Sequence, residues 1–302
     1  MEVSTGVLCG VESLVRWLHP LDGLVLPDQF IGVAEAHGLI DEITAAVLGQ
    51  ALQDARRWND AGLSLSIAVN VSVDSLADVQ FPDRFARAAE DAGVPPGQLV
   101  LEITESRLAA DVRGPLDVLT RLRLKRAGLS IDDFGTGHSS LAQLRDFPFG
   151  ELKIDRGFVH GAGNDATLRA IFQSSMQLSR ELGMKTVAEG VEDRADWDFL
   201  QAQGCDMAQG YFISKPMPGA EVVGWARVWG GWPACVDGLP GLAARWLRSP
   251  GTPARLWASP LGTRPGSSRD RRPHWPGRAS GFGSQGTNCP PHRCSWRPAR
   301  SF

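Results

Sequence analysis

Short β-branched runs alternate with longer stretches of helical periodicity over about 220 residues, and this constrains the chain more than any other feature. The strand candidates are Leu8–Trp17, Leu65–Ser72, Gln98–Thr104, Leu129–Phe134, Glu151–Ile154, Met184–Glu189 and Asp206–Phe212. Several are nearly continuous apolar runs, which suits parallel strands buried on both faces. Repeated strand–helix units imply an α/β protein with a parallel sheet, either open or closed into a (β/α)8 barrel. Seven strands are one short of a closed barrel. The chain begins almost directly with a strand, so the eighth is expected upstream of Met1.

Helical patterns fill the intervals: Pro27–His37, Asp41–Ala61, Pro82–Ala92, Gly114–Ala127, Ser139–Asp146, Asp165–Leu182, Arg194–Gln203 and Gly219–Trp229. In the second of these, Ile43, Val47, Leu48, Ala51, Leu52 and Ala55 recur with a period near 3.6. Gly62, Gly93, Gly128, Gly183 and Gly204 each follow a helical pattern, where a left-handed cap favours glycine.

The pattern fails after about Pro233. The formal net charge of −3 hides an asymmetry of roughly −12 over residues 1–233 against roughly +9 from Ala234 onward, where the cations are all Arg. That last segment holds about half of the 20 prolines and no Ile. It buries too little apolar area to offset its ordering entropy, so residues 233–302 are expected to be a disordered Arg/Pro/Gly-rich tail and residues 1–232 the folded domain. Cys289, His292 and Cys294 lie in that tail and make a weak metal signal. No window approaches the ~18–20 apolar residues of a membrane span, and the N-terminus lacks the start of a secretory signal. With five irregularly spaced cysteines, the expectation is a cytoplasmic protein with reduced thiols, without membrane contact and not built to bind nucleic acid.

Acidic and amide residues recur at the downstream ends of the strand candidates. They are Glu12, Asn70, Glu102, the adjacent Asp132 and Asp133, Asp155 and Glu189, with Lys153 and Gln209 at matching places. In a parallel (β/α) architecture these ends converge on the face where active sites form. Crowded carboxylates raise one another's pKa, and a divalent cation removes the conflict. Hard oxygen donors with one amide, and no His or Cys among them, favour Mg²⁺ or Mn²⁺ over Zn²⁺. Adjacent Asp132 and Asp133 can serve two metals, an arrangement that hydrolyses phosphodiesters. Lys153 can orient or deprotonate a water, or neutralise phosphate charge.

Seven ordered motifs within Gly10–Pro218, about 70% of the chain, carry a resemblance. They are Val-Glu-Ser-Leu-Val-Arg-Trp (11–17), Val-Asn-Val-Ser (69–72), Leu-Glu-Ile-Thr-Glu-Ser (101–106), Asp-Asp-Phe-Gly-Thr-Gly-His-Ser-Ser-Leu (132–141), Leu-Lys-Ile-Asp-Arg-Gly-Phe-Val (152–159), Val-Ala-Glu-Gly-Val-Glu (187–192) and Gln-Gly-Tyr-Phe-Ile-Ser-Lys-Pro (209–216). The chain resembles the EAL domain of cyclic-di-GMP phosphodiesterases, cytoplasmic bacterial enzymes with a TIM-type (β/α)8 barrel. Relative to the family it lacks the first helix and strand, so an open seam with an unpaired strand edge is expected.

The resemblance implies a two-metal Mg²⁺ or Mn²⁺ site that converts cyclic di-GMP to linear pGpG. By match, Glu12, Asn70, Glu102 and Asp132 hold the first metal, and Asp132, Asp133 and Glu189 the second. Lys153 holds the attacking water, Arg16 contacts substrate phosphate, Gln209 lines the site, and Asp155 is an active-site acid. Glu105 braces the Asp132–Ser140 loop, in which Gly135, Thr136 and Gly137 shape the turns, and Glu192 is a supporting acid. The family expectation is a homodimer through that loop region. Two departures are Ser13 in place of the usual Ala and His138 in place of the usual Tyr. The alternatives are a non-catalytic cyclic-di-GMP receptor and an inactive truncated fragment.

Overall fold

A computed structural model describes residues 1–105, 113–136 and 141–229. Its main sheet has seven parallel strands in sequential order: β1 (Gly10–Ser13), β4 (Ser66–Asn70), β5 (Leu99–Thr104), β6 (Gly128–Phe134), β7 (Glu151–Ile154), β8 (Lys185–Ala188) and β9 (Met207–Ala208). All seven strand candidates are therefore present, joined by the helical crossovers that parallel pairing requires. The sheet curls into a partial TIM-type barrel. Its fully buried side chains include Ile67, Leu99, Leu101, Ile103, Phe85 and Phe172, the last two contributed by the covering helices.

Two expectations are corrected. The run Leu8–Trp17 is not one strand: β1 ends at Ser13, and Trp17–His19 (β2) pairs antiparallel with Gly23–Val25 (β3) in a separate hairpin. Trp17 leaves the barrel to pack edge-on against Phe30 of the helix Pro27–Ala36. Gly128 is not a left-handed cap either. The helix Arg113–Leu124 is followed by Arg126 at φ 69°, and Gly128 opens β6. Glycine is needed there because a Cβ would lie 2.9 Å from Val100 Cγ2 on the neighbouring strand. Gly62, Gly93, Gly183 and Gly204 do take positive φ after their helices.

Among the described residues no eighth parallel strand joins β9 to β1, but part of the β9 edge is paired where an open edge was expected. Met1–Val3 lies antiparallel along β9, with Met1 and Ala208 exchanging two hydrogen bonds of 2.8 and 3.0 Å and Val3 N–H donating to the Asp206 carbonyl at 3.0 Å. Met1 and Val3 are buried. A cavity of about 210 Å³ remains between the β1 and β9 ends, lined by Leu8, Val11, Trp58, Met217 and Trp225 among others.

Among the described residues no helix is long and apolar enough to cross a membrane, and the described cysteines, Cys9 and Cys205, are free thiols. The expected disordered tail, together with His138, Cys289, His292 and Cys294, lies outside the described residues.

Candidate active site

Every strand of the main sheet delivers a polar side chain at or just past its carboxyl end. Glu12 comes from β1, Asn70 from β4, Glu102 from β5, Asp132 and Asp133 from β6, Lys153 from β7, Glu189 from the residue after β8 and Gln209 from the residue after β9. Pairing register brings them level: Asn70 lies opposite Glu102, and Thr104 opposite Asp132.

Lys153 is the hub. Its ammonium lies 2.6 Å from Glu189 Oε1, 2.8 Å from Glu102 Oε1, 3.1 Å from Asp132 Oδ1 and 3.7 Å from Glu12 Oε2, with its side chain 2% exposed. Burial alone would push the amine's pKa down, but Glu102, Glu12, Glu189 and Asp132 hold it well above the ordinary value. Those carboxylates therefore favour the ammonium form, a hydrogen-bond donor.

One ammonium does not balance the surrounding acids. Burial drives Glu102 well above the usual carboxylate range; Lys153 opposes the shift, while Glu12 and Asp132 add to it. Burial likewise raises Glu189 to about 7 against the pull of Lys153, and Asp133 is raised by burial, Asp132 and Asp155. Glu12 is the exception. Burial pushes it up, yet Lys153 and the amides of Gln209 (2.5 Å) and Asn70 (2.8 Å) hold it low.

Asp132 and Asp133 reach the same rim because β6 is irregular there. Consecutive strand residues ordinarily face opposite sides. The register of β6 on β7 shifts between Ile131 and Phe134, and Asp133 takes a left-handed φ of 55°. Aspartate tolerates that conformation better than most residues. As a result the oxygens of Asp132, Asp133 and Glu189 come within 4.8 Å of one another.

Local hydrogen bonds define the surroundings of the other predicted residues. Glu105 Oε2 accepts the Gly135 N–H at 2.8 Å, and Thr136 Oγ1 donates to the Asp133 carbonyl at 2.8 Å, so both ends of the turn after Asp133 are tied. Gly135 has φ 101° and packs so tightly on Phe158 that a Cβ would lie 2.8 Å from the ring. Asp155 caps the helical turn Arg156–Val159 through the Gly157 N–H at 2.9 Å. Arg16 donates from Nη1 to the Val15 carbonyl at 2.8 Å. Glu192 donates its backbone N–H to Asp196 at 3.0 Å. Gly137 lies outside the described residues.

The donor set is one that fits divalent cations. It consists of hard carboxylate oxygens and an Asn side chain converging on one rim, and Glu102 Oε2 is buried there without a hydrogen-bond partner. The profile of the EAL domain matches residues 1–216. The chain belongs to the EAL domain family. The EAL family is metal-dependent, in agreement with the acidic rim. Over 219 residues the chain is 42% identical to the bifunctional diguanylate cyclase/cyclic di-GMP phosphodiesterase MucR of Pseudomonas aeruginosa, covering 72% of this chain and 32% of that protein. It is 39% identical over 230 residues to the cyclic di-GMP phosphodiesterase NbdA of the same organism, covering 76% and 29%. The chain thus spans about a third of the length of these curated relatives.

Among solved EAL structures, that of the PaMucR phosphodiesterase in complex with c-di-GMP matches with a TM-score of 0.69 at 41% identity, over 74% of this chain and 90% of that one. The EAL domain of Mycobacterium smegmatis DcpA matches with a TM-score of 0.61 at 29% identity, over 77% and 93%.

The motif reading missed one cluster, His160, Asp193 and Asp196, formed by the segments that follow β7 and β8. No spacing rule links these residues to the strand ends, and only the fold brings His160 and Asp196 together.

Proposed function

We propose that this EAL domain hydrolyses cyclic di-GMP to linear pGpG, adding one water across one of the two phosphodiester bonds. The observation that carries the reading is the buried Lys153 ammonium ringed by the carboxylates of Glu12, Glu102, Asp132 and Glu189 at the barrel rim. Similarity to relatives named as cyclic di-GMP phosphodiesterases supports the substrate.

Glu12, Asn70, Glu102 and Asp132 would hold one Mg²⁺ or Mn²⁺, and Asp132, Asp133 and Glu189 a second. Bound there, the two cations supply Lewis-acid activation and neutralise charge at the phosphodiester. The chain's own residues do the rest. Lys153 keeps its proton at Nζ and donates it as a hydrogen bond to the attacking water, fixing the water's direction. The amides of Gln209 and Asn70 keep Glu12 ionised and oriented. Arg16, anchored on the Val15 carbonyl, presents positive charge to a substrate phosphate. Glu105 holds the turn that presents Asp132 and Asp133. Asp155 fixes the turn after β7 and adds negative charge near Asp133. In this reading the protein acts in the cytoplasm, pairs as a homodimer near the Asp132 loop, and Glu192 supports the rim.

The test incubates the purified chain with cyclic di-GMP and Mg²⁺ or Mn²⁺ and follows pGpG by chromatography. Conversion that stops with EDTA and in Glu102→Gln is expected. Tight binding of the dinucleotide in EDTA, with no turnover when metal is returned, would identify a receptor instead.

A further inference from the structure

Asp196 sits in the first turn of the helix Arg194–Gln203 and is 3% exposed. It belongs to none of the motifs, yet its carboxylate spans two rim loops. Oδ1 accepts the Gly161 N–H at 3.0 Å from the segment after β7. Oδ2 accepts the Glu192 N–H at 3.0 Å from the loop after β8, and lies 2.8 Å from His160 Nδ1. Asp193, which caps the helix, accepts the Asp196 N–H at 2.9 Å and fixes the turn that aims the carboxylate.

The oxygens and ring nitrogen of His160, Asp193 and Asp196 fall within 4.8 Å of one another, as metal ligands would. Here the donors already present argue against an ion. Three N–H groups of the protein use the two Asp196 oxygens, and Nδ1 of His160 is one of them. The cluster is satisfied as a clasp. The same two loops touch again at Gly190, where φ is 65° and a Cβ would lie 2.2 Å from Arg156 Cβ.

We propose that Asp196 is a positioning residue: by clasping the segment after β7 to the loop after β8, it fixes the approach of Lys153 to Glu189. Lys153 on β7 and Glu189 just after β8, 2.6 Å apart, lie where the chain runs directly into the clasped segments. The inference rests on the reading of Lys153 and Glu189 as part of the reaction centre. A carboxylate suits the task because it accepts on both oxygens, whereas an amide presents one acceptor and one donor.

The experiment compares the chain with Asp196→Asn, after thermal melts establish cooperative unfolding of both. Amide hydrogen exchange is expected to quicken at Gly161 and Glu192 while strands β5 and β6 keep their protection. On cyclic di-GMP, kcat is expected to fall about 10-fold, the low end of the cost for residues that support a site, because Asp196 acts through the two segments and touches neither Lys153 nor Glu189, with KM little changed. His160→Asn, which keeps a nitrogen donor at the Nδ1 position, is expected to retain more kcat than His160→Leu; both are surface changes that spare the fold. Unchanged exchange at the two amides overturns the clasp. Faster exchange with unaltered kcat overturns its positioning role. If the parent chain turns over no cyclic di-GMP, the functional reading fails separately, and Mn²⁺ affinity measured by calorimetry decides. About tenfold weaker binding in Asp196→Asn supports positioning of Glu189, and equal binding overturns it.

Discussion

The Asp133 backbone N–H donates to the Asp132 carboxylate at 3.0 Å, and with Asp133 at φ 55° the two adjacent side chains share one rim instead of opposite faces of β6. The kink is a property of the backbone, and the residue type matters for two separable reasons. Asn tolerates the left-handed region about as well as Asp, whereas a β-branched residue is strained there. Asp133→Asn should therefore keep the thermal midpoint and lose metal-supported turnover. Asp133→Val should lose turnover and about 1–2 kcal/mol of stability in chemical denaturation. Equal stability of the two variants would contradict the strain argument.

Lys153 is the central cation of a buried ion cluster, whatever its part in the proposed reaction. Four carboxylates face its ammonium within 3.7 Å, and its side chain is 2% exposed. Removing one member of such a buried group leaves uncompensated charge, at a cost of about 3–5 kcal/mol. In EDTA, Lys153→Met should unfold at clearly lower denaturant than the parent. Added Mn²⁺ should raise the thermal midpoint of the variant at least as much as that of the parent, since the orphaned carboxylates gain a counter-ion, while activity stays absent. A variant as stable as the parent in EDTA would show that the acids are not held together by Lys153.

The strand ends were legible because a short apolar run broken near its end by Glu, Asp, Asn or Lys is a local signal. Glu12, Asn70, Glu102, Asp132, Lys153 and Glu189 all announce themselves that way and converge in space. What the sequence hid was non-local or conformational. Nothing in Leu8–Trp17 signals that the strand ends at Ser13, because Leu14 and Val15 continue the apolar run and only packing on Phe30 draws Trp17 away. The kink at Asp133 shows only in three dimensions, as a left-handed φ and a register shift against β7. The place of Met1–Val3 beside β9 joins residues about 200 apart, beyond any periodicity argument. Asp196 reads as an ordinary first-turn acid until its carboxylate is seen to meet Gly161 and His160.

Glu105 offers a loop anchor that can be removed without emptying the site. Its Oε2 accepts the Gly135 N–H at 2.8 Å, and the carboxylate is buried beneath the turn. Glu105→Gln keeps the volume and one acceptor oxygen but loses the charge that strengthens this bond. The expected result is a fold with the parent's circular dichroism and a kcat lower by about tenfold, the size usual for partners of ligating groups. Loss should be larger in Glu105→Ala, which leaves the Gly135 amide without its acceptor. Parent-level kcat in both variants would remove Glu105 from the machinery.

The His160–Asp196 pair gives the stability a pH signature whose sign follows from the two shifts. The hydrogen bond to Asp196, reinforced by its charge, raises the His160 pKa above its ordinary 6.5. Burial pushes Asp196 up, but His160 and the amides of Glu192 and Gly161 outweigh it and hold the carboxyl below its ordinary 3.8. A raised histidine stabilises fully below its unfolded value and loses that contribution as pH rises through the folded one. A lowered carboxyl stabilises above its unfolded value and loses its share as pH falls through the folded one. The pair therefore contributes most between pH 3.8 and 6.5, fading above that window as His160 loses its proton and below it as Asp196 gains one. Thermal midpoints of the parent and of His160→Asn, taken from about pH 5 to about pH 9 in EDTA, isolate the effect by subtraction, because the rim carboxylates titrate in both. The parent's advantage should be largest at the acid end and shrink through neutrality. An advantage that grows with pH would mean that His160 is neutral in the clasp and that Asp196 is held by the two backbone amides alone.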